Sequence, residues 1–203
     1  LGTAFLFCTV VGSGIMGQNL SSNDSLTLLA NTLATVFALY FLITVFGDHS
    51  SHFNPVVSMV MLVRKEITTQ VCTVFIILQI SGAILGVMLA NYIFELDPVY
   101  FSEKPRSGTH LFVSEILATF GLLMVILLSS KEKVAVTVAA YIGAAYWFTS
   151  STSFANPAGT IGRSFSNTFA GISTNDILHF CVAQIIGAFL ALFVYKTFFE
   201  SQK

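Results

Sequence analysis

Asn54-Pro55-Val56 and, 102 residues further on, Asn156-Pro157-Ala158 set the dipeptide Asn-Pro twice in short loops between long apolar stretches, in a chain with only four prolines. A single Asn-Pro marks a turn. Proline is also favoured at the first helical position and asparagine at the N-cap, so each copy can start a short helix. Two such starts predict two half-helices that meet head to head inside a membrane.

The flanking chain supports a membrane setting. Hydrophobic residues make up 55%, charged residues 9%, and the mean hydropathy is +0.81, far from the balance of a soluble domain. Mostly apolar stretches of roughly 17 to 25 residues cross a bilayer as helices. We read six of them: Leu1–Leu20, Leu26–Phe46, Thr68–Phe94, Thr109–Leu128, Val134–Thr149 and Ile177–Phe199. The expected fold is an all-α membrane protein with two re-entrant half-helices, forming one transmembrane domain over residues 1–203. Leu1 opens within a hydrophobic stretch with no basic segment before it. The first span is therefore expected to be a transmembrane helix that begins upstream, and not a signal peptide.

Lysine and arginine in the loops set the orientation, because an excess marks the cytoplasmic side. Arg64, Lys65, Lys131, Lys133, Lys196 and Lys203 fall on one face, and Lys104, Arg106 and Arg163 on the other. The C-terminus is expected in the cytoplasm, with the first Asn-Pro loop entering from inside and the second from outside.

An internal repeat points the same way. Gln79-Ile80-Ser81-Gly82-Ala83-Ile84-Leu85-Gly86 in the third span returns as Gln184-Ile185-Ile186-Gly187-Ala188-Phe189-Leu190-Ala191 in the sixth. Each half, residues 1–94 and 109–200, carries three spans with its loop between the second and third. An odd count inverts one half relative to the other, as in transport architectures. The small residues of these runs suit close helix packing.

Capping uses the asparagine oxygen and leaves its NH₂ with donors free to face a lumen. Behind each asparagine lies the positive end of a half-helix, worth roughly half an elementary charge. Opposed ends repel cations and orient a passing water, which suits neutral, hydrogen-bonding solutes. Non-helical backbone at that depth must line a cavity or be buried in protein. Cys8, Cys72 and Cys181 lie within spans without metal-ligand spacing and read as packing residues. No nucleophile, base or metal cluster is assembled. Neither an enzyme, nor a cofactor, nor a nucleic-acid partner is expected.

His52-Phe53-Asn54-Pro55-Val56, Asn156-Pro157-Ala158 and the paired Gln-x-x-Gly-Ala runs together resemble the aquaporin and glycerol-facilitator family, the major intrinsic proteins. The resemblance covers essentially the whole chain. It implies a homotetramer in the lipid bilayer, one passive pore per subunit for water and small neutral solutes, and a central constriction at His52, Asn54, Pro55, Val56, Asn156, Pro157 and Ala158. The very short loops suggest a bacterial inner membrane. The family's glutamate in the fourth span corresponds to Glu115, an intramembrane carboxylate expected to accept hydrogen bonds from loop backbone. The matching glutamate of the first span would precede Leu1.

Departures are equally informative. Most members follow the second Asn-Pro-Ala with an arginine; Gly159 stands there, and Arg163 is one turn, about 5.4 Å, further along. Arg163 either lines the outer vestibule or snorkels at the surface. Counting from the signatures puts the remaining filter positions at Ala34 or Thr35, at or next to Ala144, and at Ser153. These small residues predict a wide, weakly charged filter unless Phe37, Tyr146, Trp147 or Arg163 turns inward. A strict water pore refilled by Arg163 and a secondary transporter on inverted repeats are the alternatives, with a non-conducting scaffold as a third. His49 and His52 sit at the inner mouth, as lining or pH-gating groups or bonded to loop backbone. His110 and His179 read as interfacial. Asn19-Leu20-Ser21 and Asn23-Asp24-Ser25 match glycosylation triplets, which are frequent by chance.

Overall fold

The computed structural model describes residues 1–200; Lys203, counted above among the cations of one face, lies outside them. The helices are α1 (Gly2–Leu20), α2 (Asp24–Phe46), α3 (Pro55–Val63), α4 (Thr69–Ile93), α5 (Thr109–Leu128), α6 (Val134–Phe148), α7 (Pro157–Arg163) and α8 (Ile177–Phe198), with one 3₁₀ turn at Thr174–Asp176 before α8. All six expected spans are helical. The two Asn-Pro copies start α3 and α7.

Boundaries follow local chemistry. Helix α2 begins two residues before the expected Leu26, because the Asn23 side chain accepts hydrogen bonds from Ser25 N and Leu26 N as a cap. Thr68 caps α4 through Val71 N in the same way. Among the described residues five helices are long and apolar enough to cross a membrane, and α6 is shorter. Its 15 residues reach about 22 Å at a rise of about 1.5 Å each, less than the roughly 30 Å hydrocarbon core. Beyond it, the chain from Thr149 to Asn156 continues as irregular backbone, most of it buried.

Packing repeats between the halves. Helix α1 packs against α2 and α4, α5 against α6 and α8, and α2 meets α6 between them. Each half-helix touches both α4 and α8, and α3 meets α7. Close approach is essential in two of these pairs. A β-carbon on Gly86 would fall onto the Ala4 carbonyl, and one on Gly187 onto the Ile116 carbonyl. Glycine therefore lets α1 and α4, and α5 and α8, lie nearly backbone to backbone.

Arg64, Lys65, Lys131 and Lys133 lie at one end of the bundle, its basic end. At the opposite end the α4–α5 connection is stitched to the chain after α7. Tyr100 N donates to Phe165 O (3.2 Å) and Ser102 N to Ser164 O (2.8 Å). Asn91 Nδ2, on α4, donates to Phe165 O (2.8 Å) and Ser166 Oγ returns a bond to Asn91 Oδ1 (2.7 Å). These bonds fix the direction in which α7 ends.

Candidate functional site: a pore between two half-helices

Asn54 and Asn156 cap their half-helices from the side chain. Asn54 Oδ1 accepts from Val56 N (3.2 Å), and Asn156 Oδ1 from Ala158 N (3.0 Å) and Gly159 N (3.3 Å). Pro55 and Pro157 occupy the first turn, where a missing N–H costs nothing. The residues just before the asparagines, Phe53 (φ 49°) and Ala155 (φ 48°), are left-handed, a conformation that costs a non-glycine residue about 1–2 kcal/mol. Their carbonyls explain it. Asn54 Nδ2 donates to Ala155 O (2.7 Å) and Asn156 Nδ2 to Phe53 O (2.9 Å), so each loop holds the other. Each amide has two N–H groups, one committed to this crossing and one left over. The sequence suggested an amide wholly free for the lumen; the exchange between loops takes half of it.

Glu115 holds the second loop. Its side chain is fully buried. Oε1 accepts from Ser151 Oγ (2.6 Å) and Phe154 N (2.9 Å), and Oε2 from Ala155 N (2.9 Å) and Gln184 Nε2 (2.6 Å). Four donors satisfy the carboxylate where no cation touches it, and its backbone contacts lock the left-handed turn that aims Ala155 O at Asn54. Gln184 continues to Thr160 Oγ1 (2.9 Å) on α7. The repeated glutamine runs gave no hint that Gln184 braces Glu115. On the other side Gln79 Nε2 donates to Ser58 Oγ (3.0 Å), which also meets His52 Nδ1 (3.0 Å). His52 stands edge-on to Phe75, centroids 5.6 Å apart. His49 is exposed, as are His110 and His179.

A cavity of about 140 Å³ runs along this crossing, enough for several waters. Its wall is mostly apolar, with Leu6, Phe7 and Val10 of α1 and Val138 and Ile142 of α6 among the lining residues. Ser51, His52, Asn54, Asn156, Thr35, Tyr146, Ser153 and Arg163 supply the polar side chains. Pro55, Val56, Pro157 and Ala158 are buried behind the asparagines as the first turns of the half-helices, outside the wall itself.

The filter positions divide. Thr35, not Ala34, faces the cavity, buried to 3% exposure. Ala144 is exposed on the outward face of α6, contrary to the position obtained by counting back. Val138, Ile142 and Tyr146, spaced by four, form the lining stripe instead. Counting failed because the distance from helix to signature is set by the irregular Thr149–Asn156 chain. Thr152 and Ser153 within it are also left-handed. The Thr35 hydroxyl donates to Asn31 O (2.8 Å), so Tyr146 donates across to Thr35 Oγ1 (3.1 Å) and bridges α2 to α6. Phe37 and Trp147 point outward, exposed to 65% and 51%.

Ser153 lies in the wall with its Oγ buried and unpartnered by protein. Gly159 is buried but contributes nothing to the wall. Arg163 turns inward, 4% exposed, with Nε bonded to Ala170 O and its guanidinium carbon 3.3 Å from the centre of the Phe154 ring. Arg106, buried in the α4–α5 connection, stands 4.7 Å from that same ring. It donates from its backbone N to Asp176 Oδ2 (2.7 Å) and from Nε to Gly171 O (2.8 Å). Burial lowers Arg106 to about 10. Lys104 donates to Phe169 O (2.8 Å), and burial with the neighbouring Arg106 and Arg163 charges lowers it to about 8. Three cations thus gather at this mouth. Among the described residues no group of His, Cys, Asp or Glu is arranged to hold a metal.

Comparison with known proteins agrees with this fold. Residues 1–195 match the major intrinsic protein family. The chain is 46% identical over 196 residues to the aquaglyceroporin AqpS of Rhizobium meliloti (strain 1021), covering 95% of this chain and 84% of that protein. The X-ray structure of the aquaglyceroporin from Plasmodium falciparum superposes with a TM-score of 0.73 at 20% identity, over all of this chain and 94% of the other, which supports the fold.

Proposed function

The chain belongs to the major intrinsic protein family, and we propose that it is a passive membrane channel for water and small neutral solutes, with glycerol among them. It is a channel and not an enzyme. One observation carries the reading. Two half-helices present their N-termini to each other across a cavity, with Asn54 and Asn156 reaching over to hold the opposite loop. The opposed positive ends exclude protons and cations, while the spare amide N–H groups receive the oxygen of a passing solute.

Asn54 and Asn156 form the central constriction, with Pro55, Val56, Pro157 and Ala158 behind them as the first turns of the half-helices and His52 at its inner side. Thr35, Tyr146, Ser153 and Arg163 form the outer filter, and Glu115 supports the loop. In this reading Ala34 and Ala144 leave the filter, and Gly159 acts from behind the wall. Glycerol, urea-sized molecules and undissociated metalloid hydroxides fit a path with an apolar wall and few polar groups. The inverted halves 1–94 and 109–200 form a single domain, which assembles as a homotetramer in the lipid of a cell membrane. The basic end, with the C-terminus, faces the cytoplasm.

The inward Arg163 and Tyr146 favour a second reading, a narrow water pore in which Arg163 takes the place of the arginine missing at Gly159. A coupled transporter is the other class to separate. Glycerol entry into proteoliposomes should scale with its gradient and ignore imposed proton or sodium gradients. Entry that requires either ion gradient would make the protein a secondary transporter, and vesicles passing neither water nor glycerol would make it a scaffold.

A further inference from the structure

The place vacated by an arginine at Gly159 is filled. A β-carbon built on Gly159 would fall onto the edge of the Phe7 ring, at Cε1 and Cζ. Phe7 is 5% exposed and lines the cavity, and α1 touches α7 here. One ring therefore backs onto the first turn of the second half-helix and also contributes to the wall of the path.

We propose that Phe7 is a specificity-determining residue of this channel, its ring occupying the volume that a side chain at position 159 would take. Gly159 and Phe7 work as a pair. Glycine leaves room for the ring, and the ring replaces a hydrogen-bonding cation with an apolar edge at that level. The cross-section there is limited by hydrocarbon, while Arg163 and Ser153 supply polar groups elsewhere in the wall. The ring sets an upper size limit for linear polyols without contributing charge. The proposal rests on the channel reading, since a protein without flux has no selectivity to set.

The test uses the full chain in proteoliposomes, with water, glycerol and the five-carbon polyol xylitol followed by stopped-flow light scattering. The quantity read is the ratio of xylitol to water permeability, which a loss of folded protein does not change. Phe7→Ala should raise that ratio by about tenfold, and Phe7→Leu by less, as the aperture widens. Gly159→Ala, whose methyl pushes the ring, should lower the glycerol-to-water ratio in the wild-type background and leave it unchanged with Phe7→Ala, a coupling only a contacting pair shows. An unaltered xylitol ratio in Phe7→Ala overturns the proposal. If Phe7→Ala does not fold, an unaltered ratio in Phe7→Leu does the same. Equal effects of Gly159→Ala in both backgrounds also overturn it. Wild-type vesicles without water flux would instead sink the channel reading itself.

Discussion

The Arg163 guanidinium lies 3.3 Å from the centre of the Phe154 ring, held there while its Nε bonds the Ala170 carbonyl. Both residues line the cavity, so a cation four positions beyond Gly159 still reaches the path. It approaches from the side, against an aromatic face. A desolvated cation–π contact is worth roughly 2 kcal/mol, which keeps the side chain in this one pose.

Replacing Arg163 by Ala removes the cation from the path and leaves the Phe154 ring held by Arg106 and Phe180. Glycerol permeability is expected to rise severalfold relative to water. Stopped-flow reswelling checks it; an unchanged ratio would mean that Arg163 is structural and that the filter lies elsewhere.

Glu115→Gln puts a donor where Phe154 N, Ala155 N, Ser151 Oγ and Gln184 Nε2 all donate. Losing one charge-assisted bond costs roughly 1.5–3 kcal/mol, and more than one is lost here. The expected result is a lower yield of folded protein and a lower melting temperature in detergent. Unaltered values for both would contradict the bracing role.

Asn156→Asp deletes the donor to Phe53 O and sets a negative charge at the start of α7. That charge offsets the half-helix end, worth roughly half an elementary charge. Proton entry, read with a pH-sensitive dye inside vesicles, is expected to rise above wild type. Asn156→Ala, which adds no charge, should leak less. If neither variant leaks, proton exclusion does not reside at this crossing.

Lys104 provides a pH test. Its folded pKa is about 8 against an ordinary 10.5, so between these values the unfolded chain holds a proton that the folded chain has lost. Stability therefore rises with pH through that window and carries its full penalty below it. Lys104→Met should melt higher than wild type at pH 7 and show a flatter dependence between pH 8 and 10.5. Parallel curves for the two proteins would show that burial and the neighbouring Arg106 and Arg163 charges do not lower the Lys104 pKa.

The half-helices were legible in the sequence because their cause is local: asparagine caps, proline opens a first turn, and both happen twice. Glu115 was legible through family resemblance, since a lone glutamate in an apolar span announces a role without naming its partners. Tyr146 was named only as a residue that could turn inward. Helix α6 is apolar all round, so no polar face marks its inner side, and the left-handed residues Thr152, Ser153 and Ala155 make the connection unsafe to count along. The spacing of Val138, Ile142 and Tyr146 was the available signal. Phe7 carried none, because its partner Gly159 lies 152 residues away.

The central claim is one path that passes neutral solutes and stops ions. It is tested most directly by measuring water, glycerol and proton permeation on the same wild-type proteoliposomes. Water and glycerol should both move far faster than in empty vesicles, with proton entry indistinguishable from the empty control. Glycerol entry no faster than in empty vesicles, or a proton flux that tracks the amount of protein, would contradict it.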